Sequence, residues 1–174
     1  MSRNQALALS ANYFDDGHFL EVLSRRVAVR TESQNPSSAP ILHDYLSQEI
    51  TPELERLGFT CRIFDNPRAD GGPLLLAERL EPDAAFTVLT YGHGDVVRGQ
   101  EQQWREDLNP WVLKVEGDRW YGRGTADNKG QHTINLTALD QVLALRQGKL
   151  GYNVKIVLET GEEVWLREGR LFDA

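Results

Sequence analysis

Three short clusters in this sequence combine residue types that bind cations or move protons. The first is Tyr91-Gly92-His93-Gly94-Asp95. Histidine is the commonest metal-binding side chain, and a carboxylate two residues later is spaced to hold its second ring nitrogen. The second is Tyr121-Gly122-Arg123-Gly124-Thr125-Ala126-Asp127-Asn128-Lys129-Gly130. Its glycines permit tight turns, and Asp127 falls just ahead of an expected helix. The third is Glu159-Thr160-Gly161-Glu162-Glu163. Two adjacent carboxylates repel each other unless a cation or solvent separates them.

Each cluster also has a purely structural explanation. The first can be a polar turn closing a strand, and the third a solvated acidic turn. Asp127 can be a helix N-cap, accepting backbone N–H bonds and suiting the helix dipole. A dinucleotide fingerprint competes for the second cluster. Gly122 and Gly124 fit its first two glycines, but the third position is Asp127, whose charge would repel a pyrophosphate. Taken together, the clusters favour a metal. A His, an Asp and a Glu at three strand ends form a nitrogen and oxygen donor set suited to zinc. One glutamate of the pair could then bind the cation while its neighbour stays free as a base. A two-metal site needs a bridging carboxylate, and Asp127 is the candidate. Two metals about 3.5–4 Å apart can activate one water and polarise a carbonyl.

The elements that must position these clusters follow from periodicity and punctuation. A helix is expected over 16–30, with Phe19, Leu20, Leu23 and Val27 on one face and Asp15 or Asp16 as its cap. A second starts near Pro40, carries Ile41, Leu42, Tyr45, Leu46, Ile50, Leu54 and Leu57, is open to a kink at Pro52, and stops at Gly58. Strands are expected over 60–65, 73–78 and 85–91. A polar loop over 98–110 leads to a hairpin around Glu116-Gly117-Asp118, a third helix over 129–146 and a last strand over 151–159. This order suggests an α/β layered domain with a mixed sheet, whose ligand sites lie at the carboxyl ends of strands.

Composition sets outer bounds. The chain has 174 residues, with 40% hydrophobic and 26% charged, as in ordinary globular proteins. Its net charge of -7 argues against nucleic acid as a partner, because phosphate backbones need a basic stripe. No run of about 20 apolar residues is present to span a membrane. The single cysteine, Cys61, reads as a small core residue in a strand and fits a reducing cytoplasm.

From about Tyr13 to Val164 the sequence resembles the co-catalytic zinc peptidase family. That family includes aminoacylases, dipeptidases, carboxypeptidases and acetylornithine deacetylase / succinyl-diaminopimelate desuccinylase. The likeness is densest in Leu89-Thr90-Tyr91-Gly92-His93-Gly94-Asp95-Val96-Val97, over 120–131 and in Gly161-Glu162-Glu163. The resemblance implies a layered mixed-sheet α/β catalytic domain of the zinc exopeptidase kind. It implies that His93, Asp127 and Glu163 bind metal, with Asp127 bridging two zinc ions. Asp95 would orient His93, and Glu162 would be the general base that deprotonates the attacking water. The implied substrates are small peptides or N-acyl amino acids, cleaved at the amide bond. Zinc is the implied cofactor, two ions per complete site, with cobalt as a substitute. The full-length family enzyme is expected to be a homodimer.

One departure stands out. In the family a Gly-Ser-Pro-Gly-type turn follows the Glu-Glu pair, whereas here Val164 leads into Trp165-Leu166-Arg167-Glu168-Gly169-Arg170-Leu171-Phe172-Asp173-Ala174. The expectation is therefore a truncated domain: residues 1–164 as the N-terminal part of the catalytic domain, 165–174 as a divergent tail, and the lid and dimerisation domain absent. One acidic ligand and one His ligand would be missing. The alternative reading is an inactive truncated or frameshifted fragment of such an enzyme.

Overall fold

A computed structural model of the chain describes residues 2–68 and 71–165. The chain opens with two helices, α1 (Arg3–Asp15) and α2 (His18–Ala28). Periodicity does not reveal α1, because it has no apolar stripe and none of its residues is buried. A capping box fixes its start: the Ser2 side chain accepts from the Gln5 N–H, and the Gln5 side chain accepts from the Ser2 N–H. Helix α2 matches the expected helix over 16–30 but is shorter. Its cap is Gly17, left-handed at φ 82°, rather than Asp15 or Asp16.

The expected helix near Pro40 forms as one helical run with changing pitch. A 3₁₀ turn (Pro36–Ser38) leads into α3 (Ala39–Asp44), a π-helical stretch (Tyr45–Ile50) and α4 (Thr51–Arg56). Pro52 lies in the first turn of α4, and the widened stretch just before it absorbs the missing N–H. Gly58, at φ 81°, ends the run.

The strands are β1 (Thr60–Phe64), β2 (Leu74–Arg79), β3 (Thr87–His93), β4 (Lys114–Glu116), β5 (Arg119–Tyr121) and β6 (Asn153–Glu159). Helix α5 (Lys129–Leu145) precedes β6, and a short α6 (Glu162–Trp165) follows it. Four strands form a mixed sheet in the order β1-β2-β6-β3. The pairs β1–β2 and β2–β6 are antiparallel, and β3–β6 is parallel. Strands β4 and β5 form a separate two-stranded hairpin. The mixed α/β class therefore holds, and the expected hairpin around Gly117 is present. The expected divergent tail lies outside the described residues beyond Trp165.

The α3–α4 run and α5 cover one face of the sheet. Tyr45, Leu46, Ile50, Leu54, Leu75, Leu136, Leu143 and Leu158 form the core there, and Cys61 packs against it as a half-buried thiol. On β2 and β3, Leu76, Leu89 and Tyr91 stay exposed. No helix among the described residues is long and apolar enough to cross a membrane.

Candidate metal centre

Strands β3 and β6 run parallel in register, so His93 pairs with Glu159 across the ladder. The expected strand over 85–91 extends two residues further, which makes His93 the last residue of β3. The two chains therefore leave the sheet side by side. The Gly94 N–H donates to the Glu159 carbonyl at 2.8 Å, and the Thr31 hydroxyl donates to the Gly94 carbonyl at 2.7 Å.

Asp95 is fully buried at this junction. Its Oδ2 accepts from the Ser33 hydroxyl at 2.5 Å and from the Glu163 N–H at 3.0 Å. Its Oδ1 accepts from the Glu162 N–H at 3.3 Å and lies 3.3 Å from His93 Nδ1. His93 Nδ1 also lies 3.1 Å from the Asp95 carbonyl. One buried carboxylate thus ties the end of β3 to the start of α6 and occupies one ring nitrogen of His93. The other, Nε2, is left facing Asp127 Oδ1 at 3.0 Å.

Asp127 arrives by another route. It follows β5, the second strand of the hairpin, and not a strand of the main sheet. The turn over 122–130 is closed by the Gly130 N–H donating to the Gly124 carbonyl at 3.1 Å and by the Thr125 hydroxyl donating to the Gly122 carbonyl at 2.9 Å. Gly130 is required there, because an added Cβ would stand 1.9 Å from the Thr125 carbonyl oxygen. The Asp127–Asn128 peptide is cis. The N-cap of α5 is Asn128, which makes no side-chain capping bond, so Asp127 is not the cap. Instead the Asn128 side-chain oxygen accepts from the His93 N–H at 3.3 Å. The Asp127 carboxylate is left 71% exposed.

One ligand atom each from His93, Asp127 and Glu163 lie within 4.8 Å of one another. Glu162 is not in that cluster, although its charge is felt by both His93 and Glu163. Burial, with Glu162 and Asp95 adding to it, pushes Glu163 up to about 7. Burial alone would lower His93, but hydrogen bonding and charge from Asp95, then Asp127, outweigh it and push the imidazole up to about 9. Neighbouring carboxylates contribute to both shifts, so negative charge gathers around the cluster. An imidazole nitrogen and two carboxylate oxygens at this spacing fit a divalent cation, zinc included.

Several supporting residues carry no sequence signal of their own. Ser33 and Thr31 lie between α2 and the helical run that begins at Pro36, in a stretch without a motif. Tyr45 reads as one more apolar helix residue, and His132 as one polar residue within α5. Lys129 is fully buried and donates to the Arg26 and Val29 carbonyls at 2.9 and 2.6 Å. Burial pulls its ammonium down to about 7.

Comparison with known proteins places the chain in a family. Residues 89–170 match the family described as Peptidase family M20/M25/M40. A cysteinylglycine-S-conjugate dipeptidase from Corynebacterium striatum is 33% identical over 135 residues, covering 76% of this chain and 28% of that protein. An acetylornithine deacetylase from Dictyostelium discoideum is 41% identical over 163 residues, covering 86% of this chain and 36% of that protein. The crystal structure of human carnosine dipeptidase 1 superposes with a TM-score of 0.78 at 28% identity, over 92% of this chain and 35% of that one. The chain therefore spans about a third of the length of the relatives it matches.

Proposed function

The chain carries part of a peptidase M20 family domain, and from that premise we propose that it supplies part of the metal centre of a zinc-dependent hydrolase acting on amide bonds. The substrates are small peptides or N-acyl amino acids, the chemistry shared by the dipeptidases and the deacetylase it resembles. The observation that carries this reading is the convergence of His93, Asp127 and Glu163 within 4.8 Å.

In this reading His93, Asp127 and Glu163 would hold the metal, with Asp127 the carboxylate available to more than one ion. A bound divalent cation would supply Lewis acidity towards a water and a carbonyl. The protein does the rest. Asp95 fixes the imidazole of His93 through Nδ1 and so directs Nε2 inward. Glu162 stays out of the ligand cluster and accepts the proton of the attacking water, then returns it to the leaving amine. Its backbone N–H and that of Glu163 both donate to the Asp95 carboxylate, so base and ligand share one anchor. The single free cysteine fits a reducing cytoplasm.

A second reading rests on the chain spanning about a third of its relatives' length: a non-catalytic portion that keeps the partial fold. Two proteins separate the readings, this chain and a form extended by whatever coding sequence lies downstream. Each is loaded with zinc and assayed on dipeptides and N-acetyl amino acids. The hydrolase reading expects metal-dependent cleavage by the extended form that Asp127→Ala abolishes, and little or none by the short chain. Zinc binding without cleavage in both forms would favour the second reading, and no zinc binding in either would end the first.

A further inference from the structure

The two candidate ligands His93 and Asp127 come from different elements, the end of β3 and the turn before α5. Tyr45 touches both. Its ring lies directly on Gly94, where an added Cβ would stand 2.7 Å from the Tyr45 Cε1. Its hydroxyl lies 2.7 Å from His132 Nε2, on α5 and five residues beyond Asp127. The Lys129 ammonium sits 5.0 Å from the centre of the same ring, held by two backbone carbonyls of the α2 end. Tyr45 is 1% exposed, His132 6% and Lys129 0%. A phenylalanine and a leucine would fill this space without any polar atom. A buried hydroxyl–imidazole bond is costly to leave unmade and fixes geometry where it is made.

We propose that the Tyr45–His132 hydrogen bond is a positioning brace, which sets the separation between the His93 end of β3 and the Asp127 turn and thereby the shape of the metal centre. Tyr45 acts through Gly94, and His132 acts through α5; neither belongs to the ligand cluster. Asp95 performs the matching task on the other side, between β3 and α6. The proposal rests on the metal-hydrolase reading given above.

Purified chain, Tyr45→Phe and His132→Leu are compared by three measurements: zinc affinity by chelator competition, the visible spectrum of the cobalt-loaded protein, and the ring ¹⁵N shifts of His93 in metal-free protein. Tyr45→Phe keeps the ring on Gly94 and removes only the bond. His132→Leu breaks the same bond from the α5 side and decides the matter if Tyr45→Phe does not fold. The brace predicts a loss of zinc affinity of about tenfold or more, a changed cobalt spectrum and moved His93 shifts. Parent-like values for all three, even with a lowered melting temperature, would make the pair merely structural and overturn the proposal. Failure of the parent chain to bind zinc would sink the hydrolase reading instead. The His93 shifts then judge the brace alone: moved shifts support it, and unmoved shifts overturn it.

Discussion

The carboxylate of Asp95 accepts the backbone N–H of Glu163 at 3.0 Å while its other oxygen faces His93 Nδ1 at 3.3 Å. The aim of the imidazole and the placement of the glutamate are therefore coupled through one buried group.

Replacing Asp95 with Asn tests that coupling. All four groups around the carboxylate can donate, so an amide must turn its NH₂ towards at least one of them. Zinc affinity, measured by chelator competition, should fall about 10–100-fold. Ser33→Ala, which removes one of the four donors, should cost less. An unchanged affinity in Asp95→Asn would show that Asp95 does not orient the site.

The two adjacent glutamates should separate cleanly. Glu163→Gln is expected to lose metal. Glu162→Gln should leave metal content nearly unchanged while lowering turnover of a catalytically complete form by about 10²–10⁴. Metal analysis beside steady-state rates decides it. Metal loss in Glu162→Gln would mean that the two roles must be exchanged.

Gly130→Ala should destabilise the protein, because the nearest obstacle is the Thr125 carbonyl at 1.9 Å, which is backbone and cannot swing aside. A cost of about 1–3 kcal/mol or more is expected. Gly148→Ala meets open space and only the strain of a left-handed residue, φ 77°, about 1–2 kcal/mol. Urea unfolding midpoints of the two variants should differ in that order, and Gly130→Ala should also lower zinc affinity by moving Asp127.

Cys61 should be a slow nucleophile at neutral pH. Burial, with the charge of Glu55 adding to it, pushes the thiol up to about 11 from an ordinary 9.0. The thiolate is the reactive form, so a raised pKa means less of it at any pH below 11. At pH 8 the thiolate fraction is roughly 100-fold lower than for an unperturbed thiol. Alkylation by iodoacetamide should start slow and rise about tenfold per pH unit towards pH 11. A rate at pH 8 equal to that of a small free thiol would contradict this.

The sequence by itself determined the local elements and the chemical inventory. Alternation over Thr60–Phe64, β-branched residues in Thr87–His93 and helical spacing in Lys129–Leu145 are short-range signals, and the corresponding elements form with ends shifted by a few residues. The residue types of His93, Asp127, Glu162 and Glu163 likewise limit the chemistry before any folding is known. Local signals fail where none exists. Helix α1 has no apolar stripe, and the widened pitch over Tyr45–Ile50 reads as ordinary helix.

Tertiary structure decided how these residues meet. Only the parallel register of β3 on β6 brings the His93 end beside the Glu162-Glu163 pair. Only the hairpin and the turn over 122–130 swing Asp127 onto His93 Nε2 and leave its carboxylate free of capping. The sequence marked Asp95 as a partner for His93, but its bonds to Ser33 and to two backbone N–H groups depend on chain segments more than sixty residues apart. Tyr45 and His132 are 87 residues apart and meet only once α5 packs on the helices before the sheet. Residue type states what a side chain can do. Packing of distant segments sets its partners, its burial and so its charge.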